Sequence, residues 1–270
     1  MIDILIATYE NGAQVLMNHV DIHPDSLSTD DFLAANLPGN PQDTVAIVAG
    51  PLVSTDSYLN LVIGNFRQPN QLLQINDEGY SSKTIALPGG DLETSCIVLM
   101  HFNDDHEIDI FVGNINGPNQ ILINMDNGEF QLIEIPDTSS IHTHAAASAD
   151  MDNDGRMDLI IGNRRRLNQM LLNNGDGTFT TIDLPGNNLD ETMSIALADM
   201  NGDRYIDIVV GNGYDEDQPN YLMTNQGDNT FENEELPGGN SRTFAVAIGN
   251  LHDDESLDVI VGNFGGNNYI

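Results

Sequence analysis

The sequence predicts an all-β protein, a β-propeller of four-stranded antiparallel blades, and three observations carry that prediction. An apolar strand closing on Gly-Asn recurs as Leu61-Val62-Ile63-Gly64-Asn65, Ile110-Phe111-Val112-Gly113-Asn114, Leu159-Ile160-Ile161-Gly162-Asn163, Ile208-Val209-Val210-Gly211-Asn212 and Val259-Ile260-Val261-Gly262-Asn263. The glycines at 64, 113, 162 and 211 are 49 residues apart each time, and the step to Gly262 is 51. Each period also holds four short strand signals, the first of them rich in small residues. Regular self-similarity at this period marks a repeat architecture, and four strands per period describe a propeller blade. A β-helix would repeat at roughly nine residues, and a β-sandwich has no reason to repeat at all.

The period at 142–190 shows each element. Ala145 to Ala149 is a strand of small residues, suited to the crowded axis of a ring. An acidic turn follows, and then Asp158 to Ile161, apolar on both faces as a strand between two neighbouring sheets must be. Asn168 introduces the third strand, Gln169 to Asn173. The turn Asn174-Gly175-Asp176-Gly177-Thr178-Phe179 offers Asp-Gly for positive φ. The fourth strand, Phe179 to Leu184, ends at Pro185-Gly186, which cannot continue a ladder. Related breaks stand at Leu37-Pro38-Gly39, Leu87-Pro88-Gly89, Ile135-Pro136-Asp137 and Leu236-Pro237-Gly238.

These signals divide residues 1–270, a single propeller domain, into six blades at about 1–42, 43–92, 93–141, 142–190, 191–241 and 242–270. The first and last are incomplete. A degenerate copy, Ile4-Leu5-Ile6-Ala7-Thr8, opens the chain at a second strand, and Asn268-Tyr269-Ile270 closes it inside a third. The sequence therefore reads as part of a larger ring.

Eight Lys and Arg face 42 Asp and Glu, for a formal net charge of −34. Such a surface repels phosphate backbones and anionic lipid, so neither nucleic acid nor a membrane surface is an expected partner. The regular apolar strands argue against disorder, which an acidic, aromatic-poor chain otherwise invites. The single cysteine, Cys96, excludes an internal disulfide framework and sits among Ile97, Val98 and Leu99 as a small hydrophobe. No apolar run has the length of a membrane span, and Met1-Ile2-Asp3-Ile4-Leu5-Ile6 lacks the basic start of a signal peptide.

The turn Asp150-Met151-Asp152-Asn153-Asp154-Gly155-Arg156-Met157-Asp158 places carboxylates at positions 1, 3, 5 and 9. Alternate side chains of a tight turn point inward, so these acids, with the carbonyl of Arg156, can converge on one hard cation. Ca²⁺ takes six to eight oxygens in flexible geometry, which suits the loop. An EF-hand would require an acid at position 12, where Ile161 stands. The next turn offers Asp199, Asn201, Asp203 and Asp207, with the carbonyl of Tyr205, but moves its glycine to position 4. Weaker sets are Asn250, His252, Asp254 and Asp258, and His101, Asn103, Asp105 and Asp109, each short of carboxylates. Ser54, Asp56 and Asn60 are not expected to hold a metal.

The acidic turn followed by an apolar strand and Gly-Asn resembles the FG-GAP/VCBS repeat of integrin-α-type propellers, over essentially the whole chain. The run Asn168-Gln169-Met170-Leu171-Leu172-Asn173-Asn174-Gly175-Asp176-Gly177-Thr178-Phe179 resembles versions found in secreted and surface proteins. The resemblance implies a ring of seven blades, calcium in the turns between first and second strands, and extracellular adhesion or ligand recognition rather than catalysis.

Repeated residues are expected to be architecture. Thr44, Thr94, Thr143, Thr192 and Thr243 precede the first strands, and Asn70, Asn119, Asn168, Asn220 and Asn268 open the third. Residues that break the repeat are the candidates for ligand recognition: Arg164, Arg165 and Arg166, with His142 and Arg242 at the start of two blades. Guanidinium groups match carboxylate or sulfate oxygens, so a protein or glycan ligand is expected on the loop end opposite the acidic turns. No nucleophile–base pair or phosphate loop emerges, so no enzymatic activity is expected. The alternatives are a propeller belonging to, or accessory to, a polysaccharide-degrading enzyme, and a structural spacer.

Overall fold

The apolar Gly-Asn strand lies second in its sheet, where residues 109–114, 158–163 and 207–212 are buried throughout. The computed structural model describes residues 4–6, 14–18, 32–36, 43–53, 59–75, 81–126, 128–135, 142–252 and 256–270. Among the described residues the chain is all β, without a helix.

The first sheet has three strands, β1 (Ile4–Ile6), β2 (Gln14–Asn18) and β3 (Phe32–Asn36), in that order. Four-stranded sheets follow, each antiparallel in chain order. They are β4 (Thr44–Gly50), β5 (Leu59–Asn65), β6 (Gln71–Ile75) and β7 (Ser81–Ala86); then β8 (Thr94–Met100), β9 (Asp109–Asn114), β10 (Gln120–Asn124) and β11 (Phe130–Glu134). Next come β12 (Thr143–Ala149), β13 (Asp158–Asn163), β14 (Gln169–Asn173) and β15 (Phe179–Asp183), and β16 (Thr192–Ala198), β17 (Asp207–Asn212), β18 (Tyr221–Asn225) and β19 (Phe231–Glu235). Last is a pair, β20 (Thr243–Gly249) and β21 (Asp258–Asn263), with Tyr269 bridging to Val261. These sheets are propeller blades. The first strands begin at the threonines, two residues before the small-residue run, because each threonine pairs with the Asn of its second strand ahead of a bulge.

The described residues fall into two compact units. The first holds β1–β7 and most of β8–β11, with Leu52, Val62, Leu72, Ile110 and Leu122 packed between its second and third sheets. The second holds β12–β21 together with Met100–His106 and Gly113–Asn119. In it β16 lies between β12 and β20. Met151, Ile160, Met170, Ile208, Val210 and Met223 form one interior cluster, and Val209, Val246 and Val261 another.

The repeated polar residues join one blade to the next. Asn70, Asn168 and Asn220 donate their side-chain amides to the hydroxyls of Thr94, Thr192 and Thr243 at 3.0, 2.9 and 2.9 Å. Each of these threonines begins the following blade, and all are buried. The threonine methyl and a β-branched side chain three residues on fill the notch over the preceding blade's glycine. A Cβ on Gly162 would lie 2.6 Å from Thr192 Cγ2 and 2.9 Å from Ile195 Cδ1. At Gly211 the distances to Thr243 Cγ2 and Val246 Cγ1 are 2.8 and 2.9 Å. Small residues are required there by close approach of the next blade.

Candidate functional site

The turn between β12 and β13 is shaped by backbone amides turned inward. Asn153 and Gly155 take φ of 59° and 90°, so the amides of Asp154 and Gly155 reach Asp150 Oδ1 and Oδ2 at 3.0 and 2.9 Å. The Asp154 amide also donates to Asp152 Oδ1 at 3.2 Å. Carboxylate oxygens of Asp150, Asp152 and Asp158 lie within 4.8 Å of one another. Two oxygens held by one calcium ion at about 2.4 Å can be no more than ~4.8 Å apart, so this hard, all-oxygen trio fits the ion. Asp154 is not part of the trio. Its carboxylate accepts from the guanidinium of Arg156, whose Nε also donates to the carbonyl of Asn173 at 2.7 Å.

Asp158 braces the turn in a way that its place in the motif does not announce. Both oxygens accept backbone amides, from Met151 at 2.9 Å and from Asn173 at 2.8 Å, which fastens the turn to the second and third strands. Burial pushes its carboxyl up to about 6, helped by the charges of Asp152 and Asp154 and opposed by the two amides. Asp207 is held in the same way by Met200 and Asn225, and burial raises its carboxyl too. Asn225 also donates to the carbonyl of Met151 at 2.9 Å, so the next blade grips the Asp150 turn from the side.

The turn between β16 and β17 copies this geometry with the glycine moved. Gly202 and Arg204 take φ of 80° and 78°, at the places held by Asn153 and Gly155. Asp199 accepts amides from Gly202, Asp203 and Arg204 at 2.7, 3.1 and 2.8 Å. Asn201 donates to Asp203 Oδ2 at 2.9 Å, while the amide of Tyr205 reaches Asp203 Oδ1 at 2.8 Å. In the last blade His252 Nδ1 sits 3.1 Å from both oxygens of Asp258, Asn250 is exposed, and Asp254 lies outside the described residues. In the turn before β9, Asn103 Oδ1 accepts the amide of Asp105 at 3.1 Å, and Asp109 is buried and accepts the amide of Asn124 at 2.8 Å. Ser54 and Asp56 also lie outside the described residues.

At the other end of the β12–β15 sheet, His142, Arg164, Arg165 and Arg166 line a cavity of about 200 Å³. Two of the arginines are already engaged. Glu191, only 2% exposed, accepts from Arg164 Nε at 3.2 Å and Arg165 Nε at 2.8 Å, and from the amides of Tyr214 and Asp215 at 3.2 and 2.7 Å. Burial would raise the Glu191 carboxyl, but these donors and the Arg164 charge outweigh it and hold it below the usual range. Asp215 is the second partner of both arginines. Arg166 is exposed and has no ion pair among the described residues. Arg242 lies 3.6 Å from Asp217.

Beside this cavity runs a row of rings that the repeat pattern does not contain. His144 and Tyr214 have centroids 5.9 Å apart, Tyr214 and Phe244 6.0 Å, and Phe244 and Phe264 5.6 Å. Arg164 lies over Tyr214 at 4.6 Å and Arg242 over Phe264 at 5.4 Å. His144 is pushed down to about 4, by burial first and then by the charges of Arg164 and His142, with Glu191 opposing. Its Nε2 is buried without a hydrogen-bond partner. The signal available in the sequence was divergence: Phe244 stands where other blades have Val45, Ser95, His144 and Met193.

Fold and site together define a repeat protein of propeller blades, with acidic turns at one end of the β12–β15 and β16–β19 sheets and idiosyncratic loops at the other. The chain belongs to the FG-GAP-like repeat family, whose model matches residues 101–161, 150–210 and 199–261, more than half of the sequence. Each match begins at the first position of an acidic turn: His101, Asp150 and Asp199. No relative matches among curated proteins. Among solved structures the chain is similar to BBS1N in its complex with ARL6DN. In a lead-soaked crystal the identity is 13% and the TM-score 0.55, covering 97% of this chain and 75% of that one. A mercury-soaked crystal gives 14% and 0.56, covering 97% and 76%. At such identities the likeness is one of fold.

Proposed function

We propose that this chain is a non-enzymatic, calcium-binding recognition module that works outside the cell or on its surface. Calcium is held in the turns Asp150–Asp158 and Asp199–Asp207, and an oxyanion-bearing ligand docks on the loop end opposite them. The trio of Asp150, Asp152 and Asp158 oxygens carries the metal assignment, supported by the resemblance of the turn to calcium-binding repeats. Extracellular calcium modules bind at roughly 10⁻⁴ to 10⁻³ M. At about 1 mM calcium a 10⁻⁴ M site adds only about 1.4 kcal/mol to stability, so the ion fixes acidic turns rather than holding the blades together. Recognition by a partner protein is supported by analogy with the similar propeller of BBS1N, solved in complex with ARL6DN.

The ligand assignment rests on the cavity lined by His142 and the three arginines. Arg164 and Arg165 are committed to Glu191, so Arg166 and Arg242 are the cations available without dismantling the loop. Fluorescence anisotropy with labelled poly-L-glutamate tests it. The Arg166→Ser/Arg242→Ser protein is expected to bind at least ~10-fold more weakly with unchanged melting. Equal binding by the two proteins, or none by the unaltered protein, overturns the assignment.

A further inference from the structure

We propose that Arg156 is a built-in competitor of calcium, which holds the Asp154 carboxylate against the ion and so sets the affinity of the Asp150–Asp158 turn. The proposal rests on the calcium reading above and names what regulates that site.

The two acidic turns differ at this one contact. In each, the carboxylate at position 5 accepts the backbone amide two residues on: Asp154 from Arg156 at 2.9 Å, and Asp203 from Tyr205 at 2.8 Å. The other oxygen takes a side-chain donor, and here the turns part. Asp203 Oδ2 accepts the neutral amide of Asn201 at 2.9 Å, whereas Asp154 Oδ2 accepts the guanidinium of Arg156. A charged donor holds a carboxylate roughly twice as strongly as a neutral one. It also repels a divalent cation that approaches the same oxygen. The oxygens of Asp150, Asp152 and Asp158 converge without Asp154, so that carboxylate joins them only where the ion displaces the guanidinium.

The guanidinium is anchored in place. Its Nε donates to the carbonyl of Asn173 at 2.7 Å, and its stem crosses Gly175, where an added Cβ would lie 3.1 Å from Arg156 Cδ. Asn173 is itself tied to the turn, because its amide reaches Asp158 Oδ1 at 2.8 Å. Tyr205 lies over Gly227 in the same manner, where an added Cβ would meet its Cζ at 2.5 Å. In both sheets the side chain at position 7 covers the hairpin glycine, but only Arg156 lays a charge there.

The sequence carries the same pairing. Among the four turns of matching length, position 3 is acidic only as Asp152, against Asn103, Asn201 and His252. Position 7 is basic only as Arg156, against Glu107, Tyr205 and Ser256. The extra carboxylate and the cation occur together, so Arg156 offsets charge that would otherwise crowd the turn. The turn thereby holds its shape at low calcium and fills at higher calcium than four free carboxylates would require.

Calcium titration by calorimetry of Arg156→Gln and Arg156→Tyr proteins tests this, in an Asp203→Ala background that silences the neighbouring turn. Removing one positive charge a few ångströms from a divalent ion is expected to tighten binding about 10-fold, even at the dielectric of water. Arg156→Tyr copies the neighbouring turn and keeps the glycine covered, so it decides the matter should glutamine loosen the hairpin. With Asp154→Ala added, the gain should fall below about 3-fold, because the contested carboxylate has gone. Melting in EGTA and in about 1 mM calcium supplies a second readout. Both variants should gain more from calcium than their Asp203→Ala parent, whereas a merely structural arginine would lower melting equally in both media. Calcium binding that the variants leave unchanged or weaken overturns the proposal while the calcium reading stands. A gain of the same size without Asp154 also overturns it. Calcium heat that appears only once Arg156 is replaced supports it. No calcium heat in any of these proteins or in the unaltered one overturns the calcium reading, and the proposal with it.

Discussion

Asn168 donates its side-chain amide to the hydroxyl of Thr192 at 2.9 Å, and Thr192 passes its own proton to Asn212 Oδ1 at 2.8 Å. This relay, buried throughout, fastens the third strand of one blade to the first and second strands of the next. Its methyl group packs over Gly162. One threonine therefore does two things at a blade joint. Thr192→Val keeps the methyl and strands two buried polar partners, which is expected to cost about 2–4 kcal/mol. Thr192→Ser keeps the relay and loses the methyl, at about 1 kcal/mol. Urea unfolding of both variants checks the order, and a serine variant less stable than the valine one contradicts it.

Glu191 gathers four donors, so its removal should loosen a loop rather than a blade. Glu191→Ala leaves Arg164 and Arg165 with Asp215 alone and frees the amides of Tyr214 and Asp215. The expected loss is about 2–4 kcal/mol. It should be accompanied by faster hydrogen exchange at Tyr214 and Asp215 while β16 and β17 stay protected. Unchanged exchange at those two amides would show that the loop does not depend on Glu191.

His144 gives a pH dependence with a definite sign. Its folded value of about 4 lies below the ordinary 6.5, so the unfolded chain takes up the proton first as pH falls. Stability attributable to this residue is complete above about 6.5 and is lost progressively from there to about 4. The groups facing it are Arg164 and His142, which oppose its charge, Glu191, which favours it, and the Tyr214 ring. Melting temperatures at pH 7 and pH 5 are expected to differ less in His144→Gln than in the unaltered protein. An equal difference would place the acid sensitivity elsewhere.

Much of this was legible because it repeats. The 49-residue spacing of Gly64, Gly113, Gly162 and Gly211 located the second strands β5, β9, β13 and β17, and alternating small and apolar segments ordered the blades. The acidic spacing of Asp150, Asp152 and Asp158 anticipated three oxygens that do converge. What could not be read were contacts set by one blade meeting another. Nothing local links Asn225 to Met151, 74 residues earlier, or Arg165 to Glu191. Asp154 matched the motif as well as its neighbours, but Arg156 two residues on captures its carboxylate. Phe244 departs from Val45, Ser95, His144 and Met193 at its repeat position, but its meeting with Tyr214 and Phe264 is set only on folding.

Calcium titration by calorimetry measures the central claim most directly. The unaltered protein is expected to show binding in the range of roughly 10⁻⁴ to 10⁻³ M, dominated by the turns at Asp150–Asp158 and Asp199–Asp207. Asp152→Ala should remove one of these events and leave the other close to intact, because the turns belong to different blades. Asp154→Ala should weaken the same event less, since its carboxylate is shared with Arg156. A titration without calcium heat, or one that Asp152→Ala leaves unchanged, would contradict the assignment.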